Sequence, residues 1–475
     1  MVKLALCYTH RFCLQDQLAF AQLSGDYNPI HVDCQVARRL LYGGLVVHGL
    51  HLVLWSLDKV IAQWPEAARL EHLRACFRRP LALDQEVTVK LEQSNNNEIK
   101  GQIIAGDQTL TEIIFSVGKL HPRLPVDLGV FDVRHATARN LAALENDEGY
   151  LPLRIQPDLL YSVFPSLAQI FDHGVAAVLL ATTRLVGMIC PGLNSLFSGL
   201  ELTFSAGEPD SCQHLLRYTV TRLDRRFNMI DIEIEGWNFH GKLNAFVRPS
   251  PANQLAMEQA AMLVKGCPFR EQRALVVGGS RGLGEVTAKL LSAGGAHVTL
   301  TYSTGQKDAE SIVAEIKAHG GTASSTRFNV LTDSAAALKG PFTHIYYFAS
   351  PRIVPGRRAP FDVALFKTYC TFFVEGLAAL ISKVAGPVTI FYPSSIFLDT
   401  PEKGFVEYAA AKAAGEALCR YLERERRGLS VRIVRLPRMR TDQTQSIFAL
   451  TAIDLAEPAD VMRSLLLEDI RPNNL

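Results

Sequence analysis

Residues 20–37 read FAQLSGDYNPIHVDCQVA. Ser24-Gly25-Asp26 and Asn28-Pro29 are turn-forming residue types. Pro29 fixes its own φ, which stiffens the loop carrying Asp26 and His31. A carboxylate and an imidazole on one rigid loop can divide acid and base work between them. Turn chemistry alone would also put such residues together, so the spacing of the whole run has to decide. It is ordered throughout: aromatic Phe20, then Leu23-Ser24-Gly25-Asp26, then Asn28-Pro29-Ile30-His31, then Ala37. Further on, Val47-His48-Gly49 precedes the apolar run Leu50–Leu57.

This combination resembles the motif of the MaoC-like (R)-specific enoyl hydratases and dehydratases, which have the hotdog fold. The resemblance implies acid–base roles for Asp26 and His31 in adding water to, or removing it from, an acyl thioester. It assigns Gly49, at the start of the central hotdog helix, the role of receiving the thioester oxygen. A backbone N–H at a helix N-terminus suits a developing negative charge.

The chain has 475 residues, too many for one average domain. Its hydrophobic content of 48% and charged content of 20% provide ample core-forming material. A formal net charge of +2 gives no global field for nucleic acid or an anionic membrane, and neither partner is expected. Nine cysteines occur singly, without a C-x-x-C pair, the pattern of reduced thiols in a cytoplasmic protein. No metal site is expected. The start MVKLALCYTHRFCLQDQ has no signal-peptide pattern, and no apolar run suggests a transmembrane helix. The expected location is the cytoplasm.

Residues 86–93, 98–106 and 109–120 alternate apolar and polar types, separated by Ser94-Asn95-Asn96-Asn97 and Asp107-Gln108, and predict an antiparallel meander. Residues 121–158 are polar and Pro-containing and predict a crossover. A faint repeat follows, in which Asp172-His173-Gly174 opens an apolar helix through Met188 and alternating segments return at 215–222, 229–237 and 242–248. Residues 183–199, TRLVGMICPGLNSLFSG, also resemble a segment of MaoC-like proteins. The expected organisation is a hotdog unit over 1–120 with the hydratase motif and a second over 121–250 without it. In that second unit His173 lacks catalytic partners and should cap or pack.

Residues 249–272 hold Pro249-Ser250-Pro251, an Ala/Met/Gln helix candidate and Gly266-Cys267-Pro268, and 251–272 is expected to be a linker. From 273 to 475 strand–helix alternation rich in Val, Ile and Leu predicts a doubly wound parallel sheet. The fold class is therefore an α+β double hotdog followed by an α/β Rossmann-type sheet. After the first strand of this region comes Gly278-Gly279-Ser280-Arg281-Gly282-Leu283-Gly284, a turn that lets backbone approach a pyrophosphate at a helix mouth.

Ser395 ends a strand, and Tyr408 and Lys412 share a helix face at i and i+4. A phenol titrates near 10, and a nearby ammonium makes its proton exchange easier. These features look like the short-chain dehydrogenase/reductase superfamily, close to 3-ketoacyl-thioester reductases. The resemblance implies Ser395, Tyr408 and Lys412 as catalytic. It places cofactor on Gly278, Ser280, Arg281, Gly282, Leu283, Gly284, Tyr302, Ser303, Asn329 and Val330, with Tyr408 and Lys412. The second strand ends Thr301-Tyr302-Ser303, without the acid that binds an NAD ribose, and Arg281 and Lys307 could neutralise a 2′-phosphate, so NADPH is expected.

Several positions depart from the family pattern. Val277 replaces a Thr, Tyr347-Phe348-Ala349-Ser350 replaces Asn-Asn-Ala-Gly, and Arg438 replaces a Gly. Thr368-Tyr369 stand nearest the place of the relay Asn, and the sequence after Asp460 is short for the last strand. The expected function is bifunctional: NADPH-dependent reduction of a 3-oxoacyl thioester and dehydration to the 2-enoyl thioester, in fatty-acid or polyketide-type synthesis. The thioester would be carried on coenzyme A or a carrier protein, with homo-oligomerisation through the reductase domain. The alternatives are hydration followed by oxidation, or a hydratase with a non-catalytic nucleotide-binding domain.

Overall fold

The computed structural model describes residues 5–62, 69–95, 98–118, 126–131, 135–205, 214–252, 254–335, 338, 340–356, 360–384, 386–444 and 455–468. The chain forms two compact units, one within Met1–Ser250 and one from Pro251 onward.

The first unit contains β1 (Ala5–Arg11), β2 (Arg69–Phe77), β3 (Glu86–Asn95), β4 (Glu98–Ala105), β5 (Gln108–Gly118), β6 (Asp127–Leu128) and β7 (Glu148–Pro152). It continues with β8 (Arg154–Ile155), β9 (Ser195–Phe204), β10 (Leu215–Asp224), β11 (Met229–Gly236) and β12 (Phe239–Val247). Ten of these make one sheet in the order β1-β3-β4-β5-β2-β9-β12-β11-β10-β7. Two-residue alternation drives it: in β4, Ile99 and Ile103 are buried while Lys100 and Gln102 face solvent. The halves join where β2 pairs antiparallel with β9, Leu73 opposite Leu202. β1, β2, β7 and β9 lie outside the segments anticipated from alternation. In β2 the register shifts between Leu70 and His72, which breaks the two-residue period. Within 121–158, expected as a crossover, β7 adds an edge strand through its pairing with β10.

Two apolar helices fill the concave side. In Gly49–Ile61, Leu50, Leu52, Val53, Leu54, Leu57, Val60 and Ile61 are all buried, the pattern of a helix apolar all round. The second, His173–Arg184, is buried from Gly174 onward, and Asp172, not His173, caps it by accepting from the Gly174 N–H. The halves are also stitched by Asp58 on the first helix. Its Oδ1 accepts from the backbone N–H groups of Ser166 (2.9 Å) and Leu167 (3.0 Å), at the mouth of helix Pro165–Ile170.

In the second unit β13 (Arg273–Val277), β14 (His297–Tyr302), β15 (Thr322–Arg327), β16 (His344–Tyr347), β17 (Val388–Ser395) and β18 (Leu429–Leu436) form a sheet ordered β15-β14-β13-β16-β17-β18. All its pairs are parallel. The order reverses between β13 and β16, the switch point at which doubly wound sheets bind ligands. Residues 251–272 are not simply a linker: helix Met257–Leu263 buries Met257 and Ala260 in the core of this unit. Helical residues Val363–Ile381 are long and apolar enough to cross a membrane by length and composition. Here Tyr369, Phe373, Leu377 and Leu380 are buried in the protein's own cores.

Because Asp58 satisfies two buried N–H groups, Asp58→Ala should lower stability by about 1–2 kcal/mol. A urea titration should show a lower midpoint with an unchanged slope. An unchanged midpoint would mean that this junction contributes nothing.

Candidate active sites

The hotdog site begins where helix Leu14–Ser24 ends. Gly25 takes φ +76°, a conformation that favours glycine, and turns the chain so that Asp26 points inward. Asp26 is buried, and its carboxylate is held from both halves of the unit. Oδ1 accepts from the Asn28 N–H at 3.1 Å, and Oδ2 accepts from the Thr183 hydroxyl of the second central helix at 2.7 Å. Asn28 Nδ2 reaches the same side, donating to the carbonyls of Gly187 (2.7 Å), Gly192 (3.3 Å) and Leu193 (3.3 Å). Gly187 lies in a wider π-type turn, Leu185–Ile189. A Cβ on Gly187 would sit 2.3 Å from Asp26 Oδ1, so no side chain fits there.

His31 remains partly exposed. Its Nδ1 lies 2.8 Å from the Val46 carbonyl. A carbonyl only accepts, so the proton sits on Nδ1 and Nε2 carries the lone pair. His48 stacks on His31 with ring centroids 3.8 Å apart. His48 Nε2 lies 3.1 Å from the Asp26 carbonyl oxygen, and Gln17 Oε1 lies 2.9 Å from Nδ1 and accepts from the His48 N–H at 3.0 Å. Gly49 follows as the first residue of its helix, and a Cβ there would meet the Phe77 ring at 2.9 Å. The sequence-derived set Asp26, His31 and Gly49 is thus brought to one place.

Gln17, Thr183 and Gly187 were not named as site residues: each acts across the fold, although Thr183 and Gly187 lie in the segment 183–199 that resembles MaoC-like proteins. Ligand atoms of Asp26, His31 and His48 lie within 4.8 Å of one another, close enough to share a metal ion. Both His48 nitrogens, however, already face Gln17 and the Asp26 carbonyl.

Burial sets the charges. Loss of water raises the Asp26 carboxyl to about 6, against the pull of its Thr183 and Asn28 hydrogen bonds. Burial lowers His31 to about 4, partly offset by the Val46 bond and reinforced by Arg248. At pH 7 the site therefore holds a carboxylate beside a neutral imidazole with its lone pair available.

The second site lies in the other unit. Gly278 has φ +78° and Gly282 φ +59°. A Cβ on Gly284 would come within 2.3 Å of the Gly278 carbonyl, so close packing of turn and helix requires glycine. Thr301 fixes the turn: its hydroxyl accepts from the Gly278 N–H (3.1 Å) and its carbonyl from the Gly279 N–H (2.9 Å). Ser280, Arg281 and Leu283 lie at the mouth of helix Gly282–Ala293, while Tyr302 ends β14 and Ser303 follows it. Asn329 and Val330 follow β15, where the Asn329 side chain accepts from the Leu331 N–H.

Ser395, Tyr408 and Lys412 also converge. Burial raises the Tyr408 phenol to about 12 despite its hydrogen bond with Ser395. Burial lowers Lys412 to about 7, and its ammonium donates to the Pro393 carbonyl at 2.6 Å and lies 3.9 Å from the Phe373 ring centre. Neither residue near the relay position is available. The Tyr369 hydroxyl accepts from the Val354 N–H and donates to its carbonyl, both at 2.9 Å, and the Thr368 hydroxyl donates to Ala364. Tyr347 donates to the Phe372 carbonyl at 2.7 Å, within the π-type turn Thr371–Glu375.

Comparison with known proteins agrees with this geometry. Residues 6–114 match the model of the MaoC like domain, and residues 272–339 match that of short chain dehydrogenases. A probable dehydratase of Ajellomyces capsulatus is 28% identical over 98 residues, 20% of this chain and 26% of that protein. A 3-oxoacyl-[acyl-carrier-protein] reductase of Synechocystis is 46% identical over 59 residues, 12% of this chain and 24% of that protein. The matches thus span about a quarter of each curated relative. Among solved structures, a short chain dehydrogenase of Burkholderia cenocepacia in complex with NADP is 25% identical and covers 43% of this chain and 92% of its own, with a TM-score of 0.38. The chain carries a MaoC-like dehydratase domain at its N-terminal end and a short-chain dehydrogenase domain further on.

Two outcomes follow from the hotdog geometry. Gly187→Ala should displace the carboxylate and lower kcat/KM for hydration of a crotonyl thioester by about 10²-fold in folded protein. Wild-type turnover in that variant would contradict the placement of Asp26.

The second outcome concerns pH. Asp26 titrates higher in the folded chain than in the unfolded one. Its unfavourable contribution is therefore absent below pH 3.8, grows as pH rises to about 6, and is constant above. Asp26→Asn should accordingly stabilise the protein at pH 7, by up to about 3 kcal/mol. In the wild type, kcat/KM for hydration should decline below about pH 6. A profile flat down to pH 4 would contradict this assignment.

Proposed function

We propose that the chain is a bifunctional acyl-thioester enzyme. The short-chain dehydrogenase domain reduces a 3-oxoacyl thioester to the 3-hydroxyacyl thioester with NADPH. The MaoC-like domain removes water from the (R)-3-hydroxyacyl thioester to give a 2-enoyl thioester, and runs reversibly as a hydratase. The carrier is coenzyme A or an acyl carrier protein, and the setting is fatty-acid or polyketide-type synthesis. The observation that carries the reading is the Asp26 carboxylate, held by Thr183 and Asn28 beside the free Nε2 of His31.

In the hydration direction, water between Asp26 and His31 gives up a proton to this pair as its oxygen bonds to C3. The electron pair of the double bond moves toward the thioester oxygen, which the Gly49 N–H receives at its helix mouth. The proton then passes to C2. Dehydration is the reverse.

In the other domain a nicotinamide dinucleotide supplies hydride chemistry when bound. The Gly278–Gly284 turn fits its pyrophosphate, since only glycine allows the approach of backbone seen there. Tyr408 gives the proton to the substrate oxygen, Ser395 hydrogen-bonds that oxygen, and Lys412 orients the nucleotide and eases proton loss from the phenol. Exposed Val363, Val406 and Tyr421 on helices Val363–Cys370 and Val406–Glu425 support self-association through this domain.

A second reading treats this domain as a nucleotide-binding scaffold without turnover. It is favoured by Lys412 being engaged with Pro393, and by Tyr369 being closed on Val354.

Tyr408→Phe separates the readings. It should abolish NADPH-dependent reduction of 3-oxoacyl thioesters while leaving NADPH binding and enoyl hydration intact. Wild-type protein that binds NADPH yet reduces no 3-oxoacyl thioester on either carrier would leave only the scaffold. For the cofactor, calorimetry should show NADPH bound more tightly than NADH, with the gap narrowed in Arg281→Ala. Equal affinities in the wild type would overturn the 2′-phosphate argument.

A further inference from the structure

Among the described residues of the first unit two arginines are buried, and each leaves at least one nitrogen without an acceptor. Arg184 lies over the Phe131 ring at 4.2 Å and donates to the Pro152 carbonyl. Arg248, the first residue after β12, is 2% exposed. Its Nη2 donates to the Leu193 carbonyl at 2.5 Å, while Nε and Nη1 meet no acceptor. Among the described residues no carboxylate forms an ion pair with it. Burial lowers its pKa only to about 10, so it is charged at pH 7. The neighbour that favours that charge is the Tyr42 side chain. A buried cation without a counter-ion is costly, and unsatisfied guanidinium N–H groups add to the cost.

Its position is informative. The Leu193 carbonyl that accepts from Arg248 also accepts from Asn28 Nδ2, and the Asn28 N–H holds the Asp26 carboxylate. Arg248 also helps to keep His31 unprotonated. A charged fork from the second half of the double hotdog thus stands beside the acid–base pair. Its unpartnered Nε and Nη1 nitrogens would be left without an acceptor by an apolar acyl chain. A carboxylate would give Nη1 an acceptor through a charge-assisted hydrogen bond.

We propose that Arg248 is an anion-binding subsite of the hydratase site, and that its ligand is a carboxylate borne by the acyl chain of the substrate. The proposal rests on the hydratase reading and narrows its substrate class to carboxyacyl thioesters. The carrier's phosphates are the other source of an anion. They are separated from the thioester by the whole pantetheine arm, whereas Arg248 shares a carbonyl with the motif that flanks the reacting carbons.

Binding of unreactive saturated thioesters tests this without turnover. Glutaryl and butyryl thioesters of N-acetylcysteamine, which carry no phosphate, and of coenzyme A would be titrated by calorimetry into wild type, Arg248→Met and Arg248→Lys. The glutaryl ester should bind the wild type at least about tenfold more tightly than the butyryl ester on both carriers. Arg248→Met should erase that difference without weakening butyryl binding, and Arg248→Lys should retain part of it.

Arg248→Met should also melt at or above the wild-type temperature, because it removes an unpaired buried charge. Equal wild-type binding of the two acyl groups would overturn the proposal. So would an Arg248→Met loss confined to coenzyme A esters, or one equal for both acyl groups, or a lowered melting temperature. Crotonyl hydration measured alongside reports on the hydratase reading separately: its absence with glutaryl preference intact would sink that reading and leave the subsite standing.

Discussion

A carboxylate removed from water must be held by donors, and Asp26 obtains them from both halves of the first unit. Its own loop supplies the Asn28 N–H, and the second central helix supplies the Thr183 hydroxyl. Gly187 allows the contact by having no side chain. Two bonds offset only part of the cost of burial, so the carboxyl remains near 6 and titrates just below neutrality. The same junction organises the fold: β2 pairs with β9, and Asp58 caps a helix of the second half. The second hotdog half, which has no motif of its own, thus completes the site of the first.

The short-chain dehydrogenase domain carries the glycine-rich turn Gly278–Gly284 and packs aromatic rings around Tyr408. Tyr369, Phe373 and Phe397 surround Tyr408 edge to face, and Tyr347 is spent on the Phe372 carbonyl. This apolar shell explains both a phenol raised to about 12 and an ammonium lowered to about 7. A neutral Lys412 would be a weaker partner for the phenolate than a charged one. On the proposed reductase reading, turnover depends on how far nucleotide and substrate restore charge to Lys412 when bound.

Much of this was legible in the chain itself. Asp26, His31 and Gly49 lie within thirty residues on a stiff loop and a helix start, and the resemblance to the MaoC-like motif joined them; the Gly278–Gly284 turn was equally local. The parallel sheet followed from unbroken apolar runs such as Leu275–Val277. What escaped reading is non-local or irregular. β2 hides behind a register shift at Leu70, and Met257–Leu263 looked like linker because its buried face is only two or three residues wide. Thr183, Gly187 and Arg248 matter only because the second half folds back on the first. Thr183 and Gly187 lie in the segment 183–199 that resembles MaoC-like proteins, but nothing in it pointed to Asp26.

The most direct test of the two-site account follows one atom through both reactions. Purified protein would be incubated with a 3-oxoacyl thioester and NADPH deuterated at both C4 positions, and the acyl products weighed by mass spectrometry. Reduction places deuterium on C3, and dehydration removes the C3 hydroxyl and a C2 proton, so deuterium stays. The account predicts a 2-enoyl thioester one mass unit heavier than the unlabelled product, with the labelled 3-hydroxyacyl thioester as its precursor. Recovery of unreduced 3-oxoacyl thioester with NADPH unconsumed, or of a hydroxyacyl thioester that never loses water, would contradict it.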